Sequence, residues 1–183
     1  MEIREKFSKL VLIVFLIFFA WAILQFLAPL SIPANSITNL TGISLVSDNN
    51  EEIGKIPFPF DFVYRCGDRL CHQKAERSFF INGNQMPFCA RCTAIWIGLA
   101  IGLGLMIFYK MKFDEKILIL LLIGISPLAI DGFGQLIGLW ESSNWTRLLS
   151  GLLTGAVCGI ALSVIIDEFK DMYDNRNIQN KLK

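Results

Sequence analysis

The sequence has a single histidine, His72, so it offers no convincing Ser-His-Asp arrangement. It also lacks the paired histidines of a zinc-protease helix and a glycine-rich phosphate-cradling loop. A surplus of either charge is missing too. Lys and Arg number 17 against 16 Asp and Glu, a formal net charge of +1, which leaves no electrostatic footprint for nucleic acid. Lys and Arg are absent from the interiors of four long apolar stretches. With 54% hydrophobic residues and a mean hydropathy of +0.52, the chain falls outside the usual composition of a water-soluble domain and reads as a membrane protein.

The apolar stretches run from Leu10 to Leu30, Thr93 to Tyr109, Ile117 to about Trp140, and Leu148 to Ile166. The first exceeds the roughly 7–15 apolar residues of a secretory signal and is expected to remain as an anchor. The expected fold is an all-α integral membrane protein with four transmembrane helices and a long Cys-rich extracytoplasmic loop between helices 1 and 2. Its parts are an N-terminal tail and anchor (1–30), an irregular extramembrane segment (31–65), a Cys/His metal-binding-like loop (66–92), a three-helix transmembrane core (93–166) and a cytoplasmic tail (167–183). Gly98 and Gly102 on span two, and Gly151, Gly155 and Gly159 on span four, repeat every four residues and suit close helix contact. Pro127 removes one backbone donor from span three and is expected to kink it.

Four of the five cysteines lie in the loop, where residues 66–92 read CGDRLCHQKAERSFFINGNQMPFCARC. Two close pairs, C-x4-C and C-x2-C, have the spacing of a zinc ribbon, in which each pair grips a tetrahedral ion from one side. His72, beside Cys71, can replace one thiolate in a Cys3His site. Zinc, as a structural cofactor, is the leading reading. Two others stand beside it: static disulfides, favoured by an extracytoplasmic position, and a redox-active Cys89–Cys92 pair at a helix N-terminus. Four spans with outer cysteine pairs are similar in layout to the quinone-dependent disulfide-forming membrane oxidases and to vitamin K epoxide reductase. Cys158, in an apolar run, reads as packing.

Asp131 is an acid inside an apolar helix, with Gln135 one turn further on the same face. An acid in lipid is expensive unless paired or wetted, so the default reading is functional. Asp131, Gln135 and Arg147 form the candidate catalytic set, and Arg77, Arg91, Glu141 and Asn144 the candidate substrate-binding set. The basic residues around them suit a phosphate or another anionic lipid head group. An Asp131–Arg147 pair that merely joins spans three and four is the structural alternative.

CHQ at 71–73, RSF at 77–79, NGNQMPFCARCTAIWIG at 82–98, DGFGQ at 131–135 and ESSNWTR at 141–147 resemble the small prokaryotic membrane proteins grouped as domain of unknown function 2085. The resemblance covers about residues 66–160 and implies a multi-span membrane protein, without an assigned activity. Cys66 lies outside the shared block, which tilts the implied ligand set toward Cys71, His72, Cys89 and Cys92, with Cys66 as the alternative. The combined expectation is a zinc-clamped loop capping a polar pocket that binds or acts on a lipid-like, anionic substrate, with membrane lipid as the partner. A quinone-linked thiol-disulfide oxidoreductase and a non-catalytic scaffold or partner subunit are the alternatives.

Orientation follows from basic residues beside the spans, because short cytoplasmic segments carry an excess of them. The tails and the turn between spans two and three hold ten: Arg4, Lys6, Lys9, Lys110, Lys112, Lys116, Lys170, Arg176, Lys181 and Lys183. The short turn between spans three and four holds only Arg147. Both termini are therefore expected in the cytoplasm. A reporter fused at the turn containing Lys110 and Lys112 should read as cytoplasmic, and an outside signal there would invert the topology.

Overall fold

The computed structural model describes residues 2–3, 8–40 and 46–181. Arg4, Lys6 and Lys183, three of the basic residues used for orientation, lie outside them. The described chain runs β1 (Glu2–Ile3), α1 (Lys9–Leu30), α2 (Asn50–Ile53), α3 (Phe60–Leu70), a 3-10 turn (Ala75–Arg77), β2 (Phe80–Ile81), β3 (Asn84–Gln85), α4 (Ala90–Phe108), β4 (Tyr109–Lys110), α5 (Glu115–Leu136) and α6 (Asn144–Lys181). Among the described residues, four helices are long and apolar enough to cross a membrane: α1, α4, α5 and α6 from Asn144 to Arg176. Leu122, Ile123, Phe133 and Leu149 point outward and are at least 64% exposed. An apolar surface of this extent fits a lipid environment and excludes a water-facing bundle.

The helix boundaries differ from the sequence expectation at two places. Span three was expected to continue to Trp140, but α5 stops at Leu136. Gly138 takes φ 73°, its amide donates to the Gln135 carbonyl at 3.2 Å, and Leu139 donates to Gly134 at 2.9 Å. This is a Schellman ending, which requires a left-handed residue that glycine supplies without strain. The chain then turns back, and the Trp140 indole fills the notch at Gly134. At the other boundary, α6 begins at Asn144 and runs on through the C-terminal tail to Lys181.

Inside α5, Pro127 cannot donate to the Ile123 carbonyl, and Ser126 Oγ donates to that oxygen at 2.9 Å. Thr154 Oγ1 of α6 donates to the neighbouring Gly124 carbonyl at 3.2 Å. Both bonds satisfy backbone oxygens that have no water to turn to in a bilayer.

The most extensive contact is between α4 and α6. It is a backbone-to-backbone contact: a Cβ added to Gly151 would come within 2.7 Å of the Arg91 carbonyl, and one on Gly98 within 2.8 Å of Gly155 Cα. Without a hydrophobic drive between helices in lipid, such close approach supplies the dispersion energy of association. Helix α1 packs on α4, and α5 packs on α6. At the end of the bundle away from the long loop, Val11, Leu103, Met106, Ile117 and Val164 close a buried core.

The loop is ordered by a second core and by buried amides. Ala28, Ile37, Leu40, Ile53, Val63, Tyr64, Cys71 and Phe88 form one buried cluster. Trp21 of α1 meets Phe62, Phe88 and Trp96 edge-on, with centroids 6.0–6.2 Å apart. Asn82 and Gly83, at φ 54° and 72°, make the tight turn between β2 and β3 that presents Asn84 and Gln85 inward. Asn84 Oδ1 accepts from Ser36 and Ile37 amides at 2.8 and 3.1 Å, and Gln85 Oε1 accepts from Leu40 at 2.8 Å. Each bond gives the otherwise irregular 31–40 segment a fixed place.

Gly155 is the sharpest test of the α4–α6 contact, because its Cβ would land on the Ile95 carbonyl oxygen and near Gly98 Cα. Gly155→Val should lower stability in bicelles by about 1–3 kcal/mol through overpacking. Gly132→Ala, where the nearest atom is 4.0 Å away, should be neutral or stabilising in the same unfolding assay.

Candidate functional site

The sulfur-bearing residues are brought together by three local structures. Cys71 ends α3 in an extended conformation and its amide donates to the Gly67 carbonyl. Cys89 is the N-cap of α4, also extended, and Cys92 lies three residues on, so both fall on the first turn. The Cys89 amide donates to Cys71 Sγ at 3.4 Å. Among the described residues, the potential ligand atoms of Cys71, Cys89 and Cys92 lie within 4.8 Å of one another. Cys66 is half-buried and, although it packs on the same apolar loop core as the other three, lies outside this converging set. His72 is exposed and does not join the converging atoms. All five cysteines are free thiols, and Cys158, on α6, is not in the converging set.

The three thiols are chemically unequal. Hydrogen bonds from Cys71 and Cys92 hold Cys89 well below the ordinary thiol range. Cys71 is pushed up, first by its hydrogen bond to Cys89 and then by burial. Burial also raises Cys66. A trio that already stabilises one thiolate is a donor set suited to a soft, thiophilic cation.

These cysteines share a wall of a cavity of about 270 Å³ with Leu70, His72, Lys74, Arg77, Arg91, Gln135 and Arg147. The α3 end, α4 start, α5 end and α6 start meet there, at the loop-bearing end of the bundle. Arg91 stands between Cys89 and Cys92 in sequence, and its guanidinium forms an ion pair with Asp131 of α5. Arg91 Nε is buried and has no acceptor among the described residues, so this arginine is held on one side only.

Asp131 is buried and accepts from three groups: Arg91, Ser142 Oγ and, at 3.5 Å, the Trp140 indole. Gln135 Nε2 donates to the same Ser142 hydroxyl. The carboxylate therefore pairs with Arg91 and not with Arg147, the partner suggested by the sequence. Arg147 donates to Asn144 Oδ1 at 3.0 Å, while Asn144 Nδ2 donates to the Ser78 carbonyl at 3.4 Å. Arg147 is buried and lines the same cavity as Arg77 and Arg91. Arg77 is half-buried and touches the exposed Glu76 only loosely, at 4.0 Å. Glu141 is exposed and does not line the cavity.

Four participants were not singled out in the sequence: Lys74, Leu70, Trp140 and Ser142. The signal for the last two was Gly138. A stop in α5 at that glycine is what folds Trp140 and Ser142 back onto Asp131, and a helix continued to Trp140 would have pointed them away.

A family described as predicted membrane protein (DUF2085) matches residues 71–165, a segment that contains the three converging cysteines and the Arg91–Asp131 pair. The chain is similar to an uncharacterized protein of Methanocaldococcus jannaschii, 42% identical over 95 residues, 51% of this chain and 61% of that relative. It is also similar to an uncharacterized protein of Methanothermobacter thermautotrophicus, 35% identical over 103 residues, 56% of this chain and 89% of that relative. The chain thus spans less than two thirds of the first relative's length. No solved structure matches.

The ion pair makes a direct prediction. Asp131→Asn leaves Arg91 charged in a largely buried place and should destabilise the protein by about 3 kcal/mol. Adding Arg91→Gln should restore part of the loss, whereas Arg147→Gln in its place should not. Unfolding in bicelles of the single and double variants gives the coupling directly.

Proposed function

The chain belongs to the predicted membrane protein family of domain of unknown function 2085, and on that footing we propose that it binds the anionic head group of an amphiphile in a metal-capped pocket. The metal is zinc by donor chemistry, held by Cys71, Cys89 and Cys92, while His72 and Cys66 stand outside the converging set. The observation that carries this reading is a juxtaposition: the convergent cysteines form one wall of a cavity whose other walls carry Lys74, Arg77, Arg91 and Arg147. A cavity of about 270 Å³ is just under the size that encloses a whole drug-sized molecule, about 300–1,000 Å³, and so suits a head group with its apolar tail outside.

Each polar residue has a distinct part in this reading. Arg77 and Arg147 offer planar, forked donors that match phosphate or carboxylate oxygens. Arg91 is positioned for the same task by Asp131, whose carboxylate also accepts from the Trp140 indole and from Ser142, and Gln135 in turn donates to the Ser142 hydroxyl. Asn144 aims Arg147, and Glu141 stands at the outer approach. Zinc bound by the loop contributes folding energy as well, because a preformed site does not exist in the unfolded chain. On the basic-residue asymmetry, the loop and pocket face the outside of the cell membrane.

A second reading rests on the depressed Cys89 thiol in a C-x2-C pair at a helix start, the arrangement that promotes thiol-disulfide exchange. The two readings separate cleanly. Purified protein should contain about one zinc per chain, Cys89→Ser should lose it, and Cys158→Ser should keep it. Sedimentation with vesicles containing phosphatidic acid should fall for Arg77→Gln and Arg147→Gln. A metal-free protein with an oxidised Cys89–Cys92 bond that opens under mild reductant would overturn the zinc reading in favour of the exchange chemistry.

A further inference from the structure

Zinc takes four ligands, and the structural class of site closes the tetrahedron with four protein donors, whereas sites that act on a ligand leave one position open. This protein brings three donors together. The candidates for a fourth stand outside the converging set: Cys66, half-buried on α3, does not line the cavity, and His72 is exposed on the cavity wall. Cys71, Cys89 and Cys92 all line the cavity, so the unfilled corner of a tetrahedron built on them opens toward the cavity and its arginines.

The charges around that corner point to its occupant. Three thiolates exceed a divalent cation by one negative charge, and the Arg91–Asp131 pair is internally neutral. Lys74, Arg77 and Arg147, even with Glu76 set against Arg77 at 4.0 Å, then leave the cavity net positive. Water as a fourth ligand would leave that charge unbalanced beside the buried Arg147, where charges interact more strongly than in open water. An oxyanion balances it. One oxygen can meet the metal while the others accept from the arginine forks, which is how phosphate groups are bridged between metals and arginines in general.

We infer that the metal is held by three protein thiolates and that its fourth ligand is a phosphate-type oxygen entering from the arginine-lined cavity. The inference rests on the metal-capped pocket proposed above and adds that the head group touches the metal. It changes the character of the site: the ion becomes part of ligand recognition as well as a clamp for the loop.

The test uses the full chain in detergent, with Co2+ as the metal because its visible bands report the number and kind of its ligands. Cobalt stoichiometry is measured first, and a protein that takes up no metal overturns the pocket reading and this inference together. If about one Co2+ binds, titration with inorganic phosphate and with short-chain phosphatidic acid should shift the visible bands saturably. Equal affinities would assign the anion to free phosphate, and at least tenfold tighter binding of phosphatidic acid would assign it to a lipid head group; either supports the inference. Arg77→Gln and Arg147→Gln should each weaken the shift about tenfold at unchanged cobalt stoichiometry. A spectrum insensitive to both anions, but altered by His72→Ala or Cys66→Ser, would overturn the inference while leaving the metal reading intact, since it would mean that the protein supplies the fourth ligand itself.

Discussion

The arrangement turns on one constraint: the carboxylate of Asp131 sits on an otherwise apolar helix and must be met by a positive charge. Left unpaired among lipid tails it would be neutralised or would distort its surroundings at a cost of several kcal/mol. Its partner comes from a different helix. Arg91, in the first turn of α4, reaches Asp131 near the end of α5, although α5 packs against α6. The pair therefore ties the most outlying helix to the start of α4, and through it to Cys89 and Cys92 on either side of Arg91. Ser142 and Trp140 add two more donors to the same carboxylate, so the turn after α5 is fixed by the charge it helps to satisfy.

A second dependency runs through buried amides. The segment before α3 has little regular structure, yet Asn84 and Gln85 accept its backbone amides. Asn84 Nδ2 also donates to the Pro29 carbonyl at 2.9 Å, at the end of α1. Tyr64 Oη donates to the Gln85 carbonyl at 2.7 Å, and Gln73 Nε2 to the Pro87 carbonyl at 2.7 Å. These bonds join α3, which ends at Cys71, to the strand that leads into Cys89. Buried polar networks of this kind specify one arrangement, because leaving any member unsatisfied is costly. The cysteines meet because the amides on either side of them are committed.

Sulfur and arginine also depend on each other. Gathering Lys74, Arg77, Arg91 and Arg147 around one cavity would be self-repelling without a compensating negative charge. Asp131 supplies part of it, and the thiolate favoured at Cys89 supplies more. Conversely, the thiolate favoured at Cys89 gains from the positive groups that line the same cavity.

The sequence by itself determined the membrane class, the four spans and the glycine contact between the second and fourth. Long uncharged runs and a four-residue glycine repeat are local patterns, and the bilayer converts them directly into helices that touch. It also singled out Asp131, Gln135, Arg91, Arg147 and the cysteines, because acids in apolar runs and paired cysteines are rare enough to stand out. The tertiary structure alone decided which of them meet. Cys66, five residues from Cys71, stays outside the converging set, while Cys89, eighteen residues away, comes within hydrogen-bonding distance of Cys71. Asp131 is paired with Arg91, forty residues distant, in preference to the nearer Arg147. Sequence separation carries no information about such choices once the chain has turned back, and here the turns at Gly138 and at Asn82–Gly83, with the side-chain bonds that hold them, set the partners.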